Sequence, residues 1–149
     1  MEHVETIAKW FLAQESMTHK KLQKMCYYAQ AWYCALYDGA PLFEEEIQAW
    51  VHGPVVPALY PRYADYRWLD IPKEEHEPEL SKKITDVLYA VYDTYADYTG
   101  DQLERLTHSE DPWIIARNGI DPWETSTSVI TCVSMRKYYG KKYREGQND

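Results

Sequence analysis

The sequence has few glycines and almost no phenylalanine, and it has no long apolar run. Six glycines in 149 residues form neither G-x-x-x-x-G-K nor G-x-G-x-x-G, so the loops that cradle phosphates in nucleotide-binding folds are missing. The nucleophile elbow G-x-S-x-G is absent, as are H-E-x-x-H and any pair of histidines four apart. His19, His52 and His108 are scattered along the chain, and structural roles are preferred for them over metal ligation. Three cysteines, Cys26, Cys34 and Cys132, form no C-x-x-C pair and lie in apolar patterns, which suits core packing. The start, MEHVETIAKWFLAQ, carries early acids and too short an apolar stretch for a secretory signal. No segment reaches the length of a membrane span. These absences predict a cytoplasmic protein with reduced thiols, no catalytic residues, no metal and no cofactor.

The charge is one-sided. The net charge is −8, and residues 65–111 carry thirteen acids against five bases. An acidic body repels phosphate and argues against wholesale nucleic-acid binding. Lys20, Lys21 and Lys24 cluster at one helix start and could touch a phosphate, as a DNA-binding regulator would. Solvent exposure is the preferred reading for them. Arg136, Lys137, Lys141, Lys142 and Arg144 complement the C-terminal end of a last helix. Glu44, Glu45 and Glu46 read as a solvated face.

Tyrosine and tryptophan are what the chain has in excess: 14 and 6, beside 2 phenylalanines. Both have an apolar body and a polar tip, which suits half-buried walls and interfaces. Helical periodicity predicts a first helix over about 3–14 from Val4, Ile7, Ala8, Phe11 and Leu12. Ser16 or Thr18 caps a second helix, with Leu22, Met25, Cys26, Ala29 and Tyr33 on one stripe and Tyr28 and Trp32 off it. A helix apolar on more than one face is either central or offers a face to a partner. Gly39 ends it. Residues 42–52 alternate loosely, as a short strand or an irregular extended piece would.

The stretch GPVVPALY reads as a stiff corner in which Pro57 opens a third helix and Pro61 ends or kinks it. Residues 70–79 form a surface connection. A fourth helix runs from Leu80 to a stop at Thr99-Gly100, and Asp101 with Glu104 forms a capping box for a short fifth. The triplet Asp-Pro-Trp occurs at 111–113 and 121–123, each read as a helix start with the aspartate as cap. His108, just before the first, is expected to bond a backbone carbonyl and fix the corner. A His108-centred catalytic site is the enzymatic alternative. A final helix over about 126–143 turns Val129, Ile130, Val133 and Tyr138 inward, and 145–149 is a disordered tail. The fold class is mainly α, a single domain over 1–144 of five to seven helices with a short β element near 43–52.

Three segments carry a resemblance. KLQKMCYYAQAWYCALYDG is a K-L-x-K helix with a tyrosine-rich continuation. P-L-F and then A-W-x-x-G-P-V-V-P follow it, and L-T-H-x-E-x-P-W comes some forty residues later. In this order they resemble the Panacea domain of SocA-like antitoxins and phage-associated proteins, over about residues 4–140. The resemblance implies a small helical fold without catalytic residues that grips a toxin, encoded by a neighbouring gene, and neutralises it. One branch implies an adaptor that hands its toxin to a cytoplasmic protease. Tyr28, Trp32, Trp50, Tyr60 and Trp68 are the candidate partner-binding residues. His52, Gly53, Pro54, Pro57, His108, Asp111, Pro112 and Trp113 are the structural motif, and a basic toxin would suit the acidic body.

Overall fold

The computed structural model describes residues 1–147. Among them are seven α-helices and two small antiparallel sheets, in one mainly helical domain. Helix α1 spans Val4–Gln14 and α2 spans His19–Leu36. Thr18, not Ser16, caps α2: its hydroxyl accepts from the Lys21 N–H. Thirteen of the eighteen residues of α2 are buried. The helix apolar on several faces is therefore the central one, wrapped by its neighbours. Beyond it Gly39 takes φ +86 and donates its N–H to the Cys34 carbonyl, as a helix stop requires.

The extended piece near 43–52 is a strand over part of its length. β2, Ile47–Trp50, pairs antiparallel with β3, Gly53–Val55, and with β5, Val129–Ile130. Gly53-Pro54 is thus no corner; it is an edge strand of a tight hairpin. Pro54 is tolerated because an edge strand need not donate its N–H. The second sheet pairs β1, Met17–Thr18, with β4, Asp70–Ile71.

Pro57 sits in a turn before α3, Tyr60–Tyr63, and Pro61 occupies that helix's first turn. The expected roles are reversed. Pro61 lacks only an N–H that no helical partner would have claimed, so it opens the helix instead of ending it. A 3-10 turn, Ala64–Tyr66, follows.

Helix α4, Lys82–Tyr95, is capped by Ser81. Thr99-Gly100, read as a stop, is the start of α5, Gly100–His108. The capping box is Thr99 with Gln102, not Asp101 with Glu104. Gly100 fits here because an added Cβ would stand 3.1 Å from the Lys21 backbone nitrogen on α2. Helix α6, Asp111–Arg117, has Glu110 rather than Asp111 at its N-cap position, and Glu110 makes no cap bond. The second Asp-Pro-Trp starts no helix and forms a turn over 121–124.

Helix α7 spans Cys132–Gln147. The expected helix began six residues too early, because irregular chain over 126–128 and then β5 occupy that stretch. Met135 and Tyr139 face the core, while Val133 is 77% exposed and Val129 45%. Residues 145–147, expected as tail, continue α7; 148 and 149 lie outside the described residues.

Candidate partner-binding cleft and the buried polar core

The three quoted segments meet inside the protein. Lys24 on α2 runs beneath the β2–β3 hairpin. A Cβ on Gly53, at φ +100, would stand 2.8 Å from Lys24 Cε and 3.0 Å from Thr107 Oγ1 on α5. Only glycine fits that crossing. Lys24 is 1% exposed. Glu104, the carboxylate acting on it, pairs instead with Lys20 at 2.6 Å and His52 at 3.2 Å. Burial, helped by the Lys20 charge, pushes the Lys24 amine down to about 7 against the pull of Glu104. The lysines at the start of α2 are therefore not a free basic patch. Lys24 is buried, Lys20 pairs with Asp101 and Glu104, and Lys21 donates to the Ala96 carbonyl at 2.5 Å. Burial works against the Lys20 charge, but its bonds to Asp101 and Glu104 outweigh that and raise its pKa.

Trp113 holds a second junction. Its indole N–H donates to the Trp50 carbonyl at 2.8 Å, and His108 stacks on its ring at 4.0 Å between centroids. Burial lowers the His108 pKa, opposed by Glu104 and by a hydrogen bond to the Val51 backbone. The His108 Nε2 is buried without a partner. Arg117 escaped sequence reasoning altogether. It is 2% exposed, lies over the Trp113 ring, and donates to the carbonyls of Ala49, Asp121 and Glu124. The second Asp-Pro-Trp turn supplies two of those carbonyls.

Glu110 was missed too. Its carboxylate accepts from Tyr28 Oη at 2.7 Å and Tyr139 Oη at 2.9 Å, and Tyr27 and Tyr139 hydroxyls are 3.0 Å apart. Burial raises the Glu110 pKa even though both hydroxyls favour the charged form. This corrects one expectation: Tyr28, read as a partner contact, is fully buried and stacks on Tyr95 at 3.9 Å. The tyrosine-rich run of α2 was the available signal, but its spacing does not reveal a buried acid about eighty residues away.

The remaining candidates separate into two places. Trp32 donates to Tyr95 Oη at 2.9 Å and lines a small apolar groove with Leu36, Val87, Val91 and Tyr143. Tyr60 and Trp68 line an open cleft of about 590 Å³ on another part of the surface, together with Thr18, Lys20, Arg67 and Asp101. Trp50 packs on Tyr60 at 5.2 Å, and Tyr60 packs on His19 at 4.8 Å. Trp68 is 76% exposed. Arg67 beside it holds φ +55 and ψ −117, a conformation costing a non-glycine residue on the order of 1–3 kcal/mol, and such strain gathers at functional sites. The cleft therefore combines exposed aromatics, a backbone held under strain and a fixed Lys20–Asp101 pair.

The molecule is thus a small helical domain with a hydrogen-bonded aromatic interior and an open cleft lined by Tyr60 and Trp68. The model of the antitoxin SocA-like, Panacea domain family matches residues 22–114, and the chain belongs to that family. No curated protein and no solved structure matches it. Among the described residues no helix is long and apolar enough to cross a membrane.

Proposed function

We propose that this protein is the antitoxin of a toxin–antitoxin pair and neutralises its toxin by direct contact through the Tyr60–Trp68 cleft. Membership of the antitoxin family carries the reading. The cleft supports its location, because Trp68 and Arg67 stand exposed at its rim, with Arg67 in a backbone conformation under strain. The acidic body, at −8, favours a basic toxin by steering. The experiment is co-expression with the product of the neighbouring reading frame, scored by growth. Rescue by the wild-type protein and loss of rescue with Trp68→Ala are expected. A toxic neighbour that stays toxic beside soluble wild-type protein overturns the reading, and a Trp68→Ala variant that rescues fully moves the contact elsewhere. A toxin whose level falls only when a cytoplasmic protease is present identifies delivery for degradation in place of masking.

A further inference from the structure

Cys34 and Cys132 lie 98 residues apart in sequence, yet their Sγ atoms are 2.9 Å apart, with the Cys34 thiol donating to Cys132. Cys34 is buried on α2. Cys132 is the first residue of α7, half-buried, and lines an opening of about 290 Å³ beside Glu44, Glu45, Glu46 and Met135. One sulfur is thus reachable and the other stands directly behind it. We propose that Cys34 and Cys132 form a peroxide-reactive dithiol, in which Cys132 is oxidised first and Cys34 closes a disulfide between α2 and α7.

The Cys132 thiolate attacks one oxygen of a hydroperoxide. An S–O bond forms, the O–O bond breaks, and the departing oxygen takes a proton to leave as water or alcohol. Cys34, having lost its proton, then attacks the Cys132 sulfenic sulfur and expels hydroxide, which becomes water. The two thiols are oxidised by two electrons and the peroxide is reduced by two. The donated hydrogen bond from Cys34 lowers the Cys132 pKa to about 7 despite burial, and a thiol at a helix N-terminus is favoured as thiolate. Accepting no such bond and donating one, Cys34 is held the other way. The three glutamates at the opening select for a neutral, small oxidant over an anionic disulfide such as oxidised glutathione.

The test treats the full chain with hydrogen peroxide at neutral pH, quenches with iodoacetamide and maps the peptides. A Cys34–Cys132 disulfide within one chain is expected, with Cys26 recovered as free thiol only after unfolding. Before oxidation, Cys132 should alkylate about five to ten times faster than a free cysteine, since greater thiolate content is partly offset by lower nucleophilicity. In Cys34→Ser the sulfenic acid at Cys132 should persist and be trapped by dimedone. Should that variant not fold, the wild-type map alone decides. A bond to Cys26, disulfides only between chains, or Cys132 passing to sulfinic acid with Cys34 still free would each overturn the proposal.

Discussion

Replacing Lys24 with methionine tests how the interior is organised. Methionine has similar length and can lie beneath Gly53, but it carries no charge. The Lys24 amine is held at about 7 against an ordinary value of 10.5. Each pH unit of that difference corresponds to about 1.4 kcal/mol, so the charged form costs at most ~5 kcal/mol. Local relaxation reduces the realised cost to about 2–4 kcal/mol. The sign follows from proton binding. Between pH 7 and 10.5 the unfolded chain keeps the proton that the folded chain releases, so stability rises with pH. Below 7 both states hold it and the full cost is present. Urea unfolding of wild type and Lys24→Met from pH 6 to 9 reads this directly. At pH 6 the variant should be more stable by about 2–4 kcal/mol, and the gap should close toward pH 9. Cys132 also titrates near 7, but it is common to both proteins and cancels in the difference. A variant less stable than wild type by more than about 1 kcal/mol, or a gap independent of pH, refutes the reasoning. Either result would mean that the amine is held as a satisfied cation.

Gly53→Ala should lower stability by about 2–3 kcal/mol, through left-handed strain and the Lys24 and Thr107 contacts, seen as a fall in Tm of several degrees. Glu110→Gln keeps an acceptor for the Tyr28 and Tyr139 hydroxyls and removes a buried charge. Because the folded pKa of Glu110 is raised, its contribution is lost as pH rises above the usual carboxylate range, so the variant should match or exceed wild type at pH 7 in denaturant unfolding. Glu110→Ala should cost about 2–3 kcal/mol by leaving the Tyr28 hydroxyl without its acceptor and Tyr139 with Tyr27 alone. Burial, with the Lys24 charge, lowers His19 to about 4, so stability should fall as pH drops from about 6.5 to 4, where only the unfolded chain takes the proton; acid titration by circular dichroism of wild type and His19→Gln checks it. Arg67→Gly relieves the strained backbone and should raise stability by about 1 kcal/mol while weakening toxin neutralisation in the growth assay.

Residues whose environment follows from local periodicity were legible in the sequence. Ile7, Phe11, Leu22, Met25 and Val91 all lie in the core, as their spacing requires, and Gly39 ends α2 by its left-handed backbone. What failed was decided by distant partners. Val133 fits a helical stripe, yet the register of α7 is set by Met135 and Tyr139 packing on α2, which leaves Val133 outside. Asp121-Pro122-Trp123 has every local mark of a helix start, but the Arg117 guanidinium takes the Asp121 and Glu124 carbonyls and holds a turn. Of the candidate contacts, Tyr60 and Trp68 share one cleft. Tyr28 went inside because Glu110 offered its hydroxyl a buried acceptor, and no pattern of hydrophobicity announces such a pair.

That distribution has a consequence for what the family pattern encodes. Lys24, Gly53, Glu110 and Trp113 all belong to the quoted segments, and all are buried. They bond or pack against one another's segments: Lys24 under Gly53, Trp113 on the Trp50 carbonyl, Glu110 on Tyr28. Arg67 and Trp68, which shape the cleft, lie outside those segments. The quoted segments therefore build the interior, while the cleft rim at Arg67 and Trp68 lies outside them. A scaffold of this kind can keep its core while the rim changes, because mutations at Arg67 or Trp68 disturb no buried bond. Exchange of the 66–69 tip between two members of the family should transfer toxin preference without loss of folding, whereas exchange of Gly53, crowded by Lys24 and Thr107, should disturb folding before it alters preference.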